Sequence, residues 1–154
     1  MTQNAEVTII PMTQEHLADA AALERASFSV PWSEAMIREE LENPCAQYFV
    51  AIEAGEFLGY AGMQCIVDEG YVTNIAVDPA HRRAGVGSFL LETLLAIANV
   101  KALAFLSLEV RESNHAAIGL YTRFELALAG RRRGYYTCPV EDALILTKTL
   151  GGQR

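Results

Sequence analysis

The sequence of 154 residues has little of several features that define large classes of proteins. Its three cysteines, Cys45, Cys65 and Cys138, are widely spaced and include no C-x-x-C pair. This spacing argues against a disulfide framework and indicates a reducing compartment with buried or inert thiols. No run approaches the roughly 18 apolar residues of a membrane span. The N-terminus lacks the basic and apolar regions of a signal peptide, so we expect a soluble cytoplasmic protein.

Basic side chains are also scarce. Twelve Lys and Arg residues stand against 19 Asp and Glu residues, which gives a net charge of −7. A protein that binds nucleic acid normally presents a basic face, so we do not expect nucleic acid as the main partner. A small molecule or a basic polypeptide fits this charge better. The three histidines are isolated from one another and from cysteine, so no metal site is expected.

The residues that are abundant predict one folded domain. Hydrophobic residues make up 51% of the chain and charged residues 20%, which allows a sizeable core. A chain of this length fits one domain better than two. We expect a single domain over residues 1–150 and a disordered tail over 151–154.

Hydrophobic periodicity predicts a mixed α+β domain with the element order β-α-α-β-β-β-α-β-α-β-β. Alternating runs separated by glycine turns predict an antiparallel meander of three strands over residues 48–77. Apolar positions every three or four residues predict a helix over 85–98. Ser33 is expected to cap the second helix, with Trp32 and Ile37 packed as a hydrophobic staple.

The first helix is predicted to begin at a Thr13 cap. Its apolar face carries Leu17, then Ala20 or Ala21, then Leu23 or Glu24.

The most informative stretch is a strand–loop–helix unit over residues 75–88. Pro79 ends the strand, and Gly85 and Gly87 lie where a helix begins. Backbone N–H groups at a helix N-terminus have no intrahelical partner and favour anions. The residues that follow Gly87 exclude a Walker loop, and Leu90 excludes the dinucleotide fingerprint. An R-x-x-G-x-G pattern remains, which by itself is also compatible with an ordinary helix start.

Together with this loop, several segments resemble the GNAT superfamily of N-acetyltransferases, most closely its bacterial ribosomal-protein alanine N-acetyltransferase (RimI) type. The segments are Pro31-Trp32-Ser33, Asn74 to Pro79, Arg82 to Ser88, Leu108 to Asn114, Ala117, Leu120-Tyr121, Arg132, Tyr135-Tyr136 and Glu141-Asp142-Ala143. The resemblance extends over residues 6–149. It implies the GNAT fold, an α+β fold with a central, mixed, mostly antiparallel twisted sheet flanked by helices. It also implies acetyl-CoA as cosubstrate, without a metal.

The resemblance also implies which residues bind acetyl-CoA. Strand residues offer backbone groups to the pantetheine arm and the acetyl carbonyl, the loop holds the pyrophosphate, and a later helix contacts the cofactor. The implied residues are Ile75, Ala76, Val77, Arg82, Arg83, Ala84, Gly85, Val86, Gly87, Ser88, Asn114 and Ala117.

Two residues are catalytic candidates, and each has a structural alternative. Glu109 lies in an apolar strand, where a carboxylate is costly unless it is paired or hydrated. It could be an ordinary partner of Arg111 or another cation, whereas the resemblance implies a general base. Tyr121 could be a core tyrosine with a bonded hydroxyl. The resemblance implies that it is the general acid for the coenzyme A thiolate, and we expect mainly a hydrogen bond with late proton transfer.

Aromatic residues are predicted to form the acceptor site. Trp32, Tyr135 and Tyr136 are assigned to this groove, although Trp32 also fits the staple. The run Arg131–Arg133 is either a solvated charge cluster or a contact for the 3′-phosphate of coenzyme A. One departure from the family is Glu125-Leu126 in place of Gly-Phe, because glycine suits a left-handed helix cap. This substitution predicts a rebuilt turn and puts the placement of Tyr121 in question.

These features predict acetyl transfer from acetyl-CoA to a peptide α-amine. The resemblance points to the N-terminal alanine of small-subunit ribosomal protein number eighteen, a basic acceptor for an acidic enzyme. Two alternatives stay open. One is the same fold acting on a small amine such as a polyamine, and the other is a non-catalytic acyl-CoA sensor.

Overall fold

A computed structural model describes residues 6–151, with the side chains of residues 82–84 left out. Most of the predicted tail, residues 152–154, lies outside the described residues, as do residues 1–5. The strands are β1 Thr8–Pro11, β2 Ala46–Glu53, β3 Glu56–Ile66, β4 Glu69–Val77, β5 Phe105–Arg111, β6 Ala127–Thr137 and β7 Val140–Thr149. The α-helices are α1 Leu17–Ser27, α2 Glu34–Leu41, α3 Val86–Val100 and α4 His115–Arg123. This order confirms the predicted sequence of elements.

The strands form one mixed sheet with the order β1-β2-β3-β4-β5-β7-β6. β4 and β5 pair in parallel, whereas β1 with β2, β5 with β7 and β6 with β7 pair antiparallel. A parallel pair needs a crossover, which α3 provides between β4 and β5. The predicted mixed α+β class is therefore confirmed. None of the helices in the described chain is long and apolar enough to cross a membrane.

Contacts divide the chain into two compact units. The first comprises the chain up to Met63 together with Asn74–Leu94, and the second comprises Gln64–Thr73 together with the chain from Leu95. In the first unit, α1, α2, β2 and β3 contribute to one apolar cluster. Its buried members are Met12, Leu17, Ala20, Ala21, Leu23, Ile37, Tyr48, Val50, Tyr60 and Ala76.

The predicted Ser33 cap of α2 is present, whereas Thr13 caps a short turn before α1 and not α1 itself. Thr13 caps a 3-10 turn, Gln14–His16, that leads into α1, and the Nδ1 atom of His16 accepts from the Thr13 amide at 3.0 Å. Ser33 Oγ accepts from the Met36 amide at 3.1 Å at the start of α2. Each cap satisfies an N–H group that the helix itself cannot.

In the second unit, the end of α4 differs from the expectation. Glu125 adopts φ +70°. The Leu126 amide donates to the Tyr121 carbonyl at 3.0 Å, and the Glu125 amide donates to the Thr122 carbonyl at 2.9 Å. These two bonds form a Schellman cap with glutamate at the position that glycine usually takes. The prediction of a rebuilt turn was therefore wrong.

The cysteines also differ from the expectation. All three thiols are free, but Cys45 and Cys138 are exposed and Cys65 is only partly covered. Of the predicted alternatives, buried or inert, burial is excluded for the first two, because Cys45 lies between α2 and β2 and Cys138 lies at the tip of the β6–β7 hairpin.

Candidate active site

The glycine loop of the first unit has a defined geometry. Asp78 caps a 3-10 turn, Pro79–Ala84, by accepting from the Ala80 amide at 2.9 Å. Gly85 follows with φ +79°, a conformation that side chains disfavour, and α3 begins at Val86. Gly87 lies inside α3 rather than before it.

The start of α3 lacks intrahelical acceptors for its first amides. Its first i→i−4 bond runs from the Phe89 amide to the Gly85 carbonyl at 3.1 Å. The amides of residues 86–88 precede that bond and have no intrahelical acceptor. A Cβ on Gly85 would find its nearest neighbour at 4.0 Å, so the backbone is accessible there. This arrangement fits a phosphate group at a helix N-terminus.

The predicted loop residues Arg82, Arg83 and Ala84 belong to the 3-10 turn. Their side chains are among those that the structure does not describe, so their contacts with coenzyme A stay a prediction. His81 is partly covered, and its Nδ1 atom is buried without a hydrogen-bond partner in the described structure.

The end of β4 alternates between two environments. Asn74 and Ala76 are buried, whereas Ile75 and Val77 are partly exposed. β3 approaches this backbone closely, since a Cβ on Gly59 would lie 2.5 Å from the Ala76 carbonyl oxygen. Glycine at this position of β3 is therefore required by the close approach.

In the second unit, Glu109 is the carboxylate of β5. Its side chain is 28% exposed, and its Oε2 atom forms an ion pair with Nε of Arg132 on β6. The hydroxyl of Tyr135 also donates a hydrogen bond to Glu109. Burial is the larger cause that raises the pKa of Tyr135, and this hydrogen bond is the second. The cation that pairs with Glu109 is thus Arg132.

Arg111 has other partners. It pairs with Glu141 at 3.0 Å, and its guanidinium lies 4.4 Å from the centre of the Tyr136 ring. The rings of Tyr135 and Tyr136 meet edge to face with centroids 5.1 Å apart. Burial, followed by the charge of Glu109, raises the pKa of Tyr136 to about 12. Both predicted acceptor tyrosines therefore lie in the electrostatic neighbourhood of Glu109.

Two acidic residues hold this cluster together. Glu141 accepts from the Ser113 amide at 2.6 Å and from Arg111, and these bonds lower its pKa. Asp142 accepts from the Gly134 amide at 2.9 Å and pairs with Arg131 at 3.0 Å. Glu141 thus connects the β6–β7 hairpin to the loop before α4, whereas the Asp142 carboxylate joins the two strands of the hairpin.

The arginine run is therefore mostly engaged in structural pairs. Arg131 binds Glu112 and Asp142, and Arg132 binds Glu109. Both residues are exposed as well, as a solvated charge run requires, and a contact of the run with the 3′-phosphate of coenzyme A stays a prediction.

Tyr121 is buried on α4, at 5% exposure. Burial raises the pKa of its hydroxyl, with a smaller contribution from Tyr136. A phenol in this state is a poor acid but a capable hydrogen-bond donor.

The two predicted cofactor residues near Tyr121 define the start of α4. Asn114 is the N-cap, and its Oδ1 atom accepts from the Ala117 amide at 3.2 Å. Asn114 is exposed and Ala117 is partly buried. The capping bond uses one lone pair of the Asn114 amide oxygen, and its contact with coenzyme A stays a prediction.

Trp32 precedes the cap of α2 in the first unit. It is partly buried and packs against the apolar cluster that contains Ile37, in agreement with a staple. Its amide donates to Oε1 of Glu24 at 2.9 Å. Its predicted contact with an acceptor stays a prediction.

The structure brings the predicted residues together in two groups. Trp32 and the stretch 75–88 belong to the first unit, and Glu109, Asn114, Ala117, Tyr121, Tyr135 and Tyr136 belong to the second. No group of three or more His, Cys, Asp or Glu side chains suited to a metal ion occurs in the part of the chain that is described.

Two polar residues in these groups, Arg132 and Glu24, were given no functional role in the sequence analysis. Arg132 was named only as part of a motif and an arginine run. Glu24 was an alternative to Leu23 on the apolar face of α1, and this polar residue at a core position was the available signal. Glu24 binds Tyr60 and Asn74 in the core of the first unit.

Comparison with known proteins identifies the family. The sequence profile of the Acetyltransferase (GNAT) family matches residues 17–125. The chain belongs to the GNAT family of acetyltransferases. The ribosomal protein bS18-alanine N-acetyltransferase of Escherichia coli K12 is 37% identical over 143 residues, 90% of this chain and 95% of its own. The N-alpha-acetyltransferase RimI of Mycobacterium tuberculosis is 35% identical over 158 residues, 98% of each chain.

Solved structures agree with this assignment. The crystal structure of the E. coli ribosomal-protein-S18-alanine N-acetyltransferase has a TM-score of 0.87 and 34% identity, covering 97% of this chain and 98% of that one. The predicted GNAT fold and the resemblance to the RimI type are thereby confirmed. The chain is an N-acetyltransferase, and GNAT acetyltransferases use acetyl-CoA.

Proposed function

We propose that this enzyme transfers acetyl from acetyl-CoA to the α-amine of a protein N-terminus, with the N-terminal alanine of ribosomal protein bS18 as acceptor. The relatives named for this activity support the acceptor, because they align over 90% or more of the chain. The observation that carries the chemistry is Glu109, a part-exposed carboxylate beside the hydroxyl of Tyr135. A cytoplasmic location and a single catalytic domain over residues 1–150 accompany this proposal.

In the proposed mechanism, Glu109 accepts the proton that the acceptor ammonium must lose. An α-amine has a pKa of about 8, so roughly a tenth is neutral at pH 7, whereas lysine at about 10.4 is almost wholly charged. General-base assistance of about 10²–10⁴ is sufficient for the former. The α-amine is therefore the acceptor that suits this site.

Acetyl-CoA supplies an activated acetyl thioester. The neutral amine attacks the carbonyl carbon, a C–N bond forms, and the C–S bond breaks. The nitrogen then loses its surplus proton, and a proton neutralises the departing thiolate to give coenzyme A as the thiol. The Tyr121 hydroxyl donates a hydrogen bond to the departing sulfur, because its raised pKa opposes early proton transfer. Attack is direct, within a complex of enzyme and both substrates.

Binding roles follow the two groups of residues. Ile75, Ala76 and Val77 bind the pantetheine arm, and residues 82–88 hold the pyrophosphate, with Asn114 and Ala117 as further coenzyme A contacts. Trp32, Tyr135 and Tyr136 border the acceptor. The N-terminus of α3, where the first amides have no intrahelical acceptor, supports the phosphate assignment.

The test is coenzyme A release from acetyl-CoA with a peptide that begins with free alanine and continues into a basic tail. The control is the same peptide with its α-amine blocked and its lysines free. We expect release with the free N-terminus alone. Release with spermidine but with neither peptide would contradict the proposal and support a small-amine acetyltransferase, and binding of acetyl-CoA without turnover on any amine would support a sensor.

A further inference from the structure

A second carboxylate, Glu24, is buried in the first unit and has no part in the proposed reaction. It lies on α1 with 2% exposure. An ionised carboxylate at such a position is costly unless several donors satisfy its oxygens. The groups that surround Glu24 therefore indicate its role.

Three donors converge on Glu24. Its Oε1 atom accepts from the backbone amide of Trp32 at 2.9 Å. Its Oε2 atom accepts from the hydroxyl of Tyr60 on β3, and from Nδ2 of Asn74 on β4 at the longer distance of 3.4 Å. The carboxylate therefore joins three segments, with its strongest bonds to Trp32 and Tyr60.

The donors are themselves oriented by a chain of hydrogen bonds. The Tyr48 hydroxyl donates to Oδ1 of Asn74 at 2.7 Å, and Nδ2 of Asn74 donates to the Tyr60 hydroxyl oxygen at 3.0 Å. Burial, followed by the charge of Glu24, raises the pKa of Tyr60 and keeps its hydroxyl protonated. Tyr48 is fixed by close packing, since a Cβ on Gly62 would overlap its ring at 2.2 Å. Each hydrogen bond in this network therefore has one donor and one acceptor that do not exchange roles.

This chain of hydrogen bonds reaches both ends of the substrate-binding region that is proposed for the first unit. Trp32 belongs to the segment between α1 and α2, where Phe28 and Val30 expose 41% and 62% of their surface. Asn74 directly precedes the cofactor-binding residues of β4. A buried side chain of α1, Glu24, thus holds the Trp32 backbone in place through a hydrogen bond to its amide.

We propose that Glu24 is a positioning residue for the acceptor, which fixes the segment Phe28–Trp32 through the Trp32 amide. This inference rests on the proposed function, in which Trp32 borders the acceptor. Because the bond to Asn74 is the longest of the three, the effect of Glu24 falls on acceptor binding more than on acetyl-CoA binding.

The chemistry of the carboxylate makes Glu24→Gln an informative variant. A carboxylate only accepts, whereas glutamine presents one acceptor and one NH₂ donor. In the variant, the NH₂ group either faces the Trp32 amide, and that bond is lost, or faces the Tyr60 hydroxyl, which can turn to accept. In the second case the bond to the Trp32 amide loses its charge assistance, so it is weakened in both orientations while the side-chain volume stays the same. Tyr60→Phe removes one donor and leaves the bond to Trp32 intact. Glu39→Gln, at an exposed position of α2, makes the same charge change outside the network.

The experiment measures KM for the alanine peptide, KM for acetyl-CoA and kcat in the three variants. For Glu24→Gln we expect KM for the peptide to rise about tenfold, with KM for acetyl-CoA within about twofold of the parent value. Tyr60→Phe and Glu39→Gln should leave KM for the peptide within about twofold. A fall in kcat with both KM values unchanged would overturn the proposal, because lost stability alone lowers the active fraction without weakening acceptor binding.

A second readout needs no substrate. Trp32 is the only tryptophan in the sequence, so intrinsic fluorescence reports on this segment alone. Glu24→Gln should shift its emission to longer wavelength and increase quenching by acrylamide, and Glu39→Gln should change neither. Unchanged emission and quenching in Glu24→Gln would overturn the proposal. If the parent enzyme fails to acetylate the peptide, the proposed acceptor is wrong, and the fluorescence still decides whether Glu24 fixes the segment.

Discussion

The two carboxylates Glu24 and Glu109 lie in different units and in opposite surroundings. Glu24 is 2% exposed and accepts from neutral donors that the core holds in place. Glu109 has a side chain that is 28% exposed and faces the guanidinium of Arg132, which is itself 57% exposed. One carboxylate has fixed partners, and the other has a partner that can leave.

This difference separates positioning from chemistry. A general base must exchange a proton with its substrate, so it needs access and a partner that is easily displaced. Glu109 meets both requirements, whereas every bond of Glu24 connects two parts of the fold. The comparison assigns proton transfer to Glu109 and orientation of the Trp32 segment to Glu24.

The largest expected effect comes from Glu109→Gln. This change keeps the shape of the side chain and removes its basicity, so we expect kcat to fall about 10²- to 10⁴-fold at pH 7. Steady-state turnover with the alanine peptide measures the fall. An unchanged kcat would show that Glu109 is not the base.

Tyr121→Phe should have the next largest effect. The hydroxyl is proposed to donate one hydrogen bond to a developing thiolate, and a bond to a charged group contributes about 1.5–3 kcal/mol, or roughly 10- to 100-fold in kcat. KM for the peptide should stay near the parent value. A variant with parental kcat would remove Tyr121 from the mechanism.

Removing one partner from each carboxylate sharpens the comparison through stability. Tyr60→Phe leaves the buried Glu24 short of a donor and should lower the free energy of unfolding by about 1–3 kcal/mol. Arg132→Gln breaks an exposed pair and should change the free energy of unfolding by less than about 1 kcal/mol. Urea denaturation measures both, and a larger loss for Arg132→Gln would reverse the assignment of the two sites.

The smallest effect is expected at the end of α4. Glu125→Gly relieves a left-handed conformation that costs a residue with a side chain about 1 kcal/mol, although glycine gains freedom in the unfolded chain. The lost pair with Lys148 is largely exposed and contributes little. Thermal unfolding should show a neutral or stabilising change, whereas Glu125→Ala, which keeps the strain, should show no gain. Clear destabilisation by glycine would contradict this account.

The order of elements and the glycine loop could be predicted because they depend on local patterns. Helix caps such as Ser33 and the Pro79 stop act within a few residues. The partner of Glu109 could not be predicted in the same way. β7 lies between β5 and β6, and its residue Ile145 pairs with Glu109 on one side and with Gly130 on the other. Arg132, two residues after Gly130, therefore reaches Glu109 across β7. Such a contact depends on strand register, which packing of the whole sheet decides.

The Glu24 network shows a different limit. Its position on the apolar face of α1 was visible in the sequence, but its donors come from three later segments of the chain. A buried carboxylate is acceptable only where such donors meet, and sequence spacing does not reveal that meeting.

The most direct test of the account is the pH dependence of the defect in Glu109→Gln. The ratio of kcat/KM between the parent enzyme and this variant is measured with the alanine peptide from pH 7 to pH 9. If Glu109 removes the proton from the ammonium, the ratio should fall about tenfold over this range, because the α-amine, with a pKa of about 8, becomes mostly neutral without help. A ratio that stays constant across the range would contradict the account and show that Glu109 orients the acceptor rather than deprotonating it.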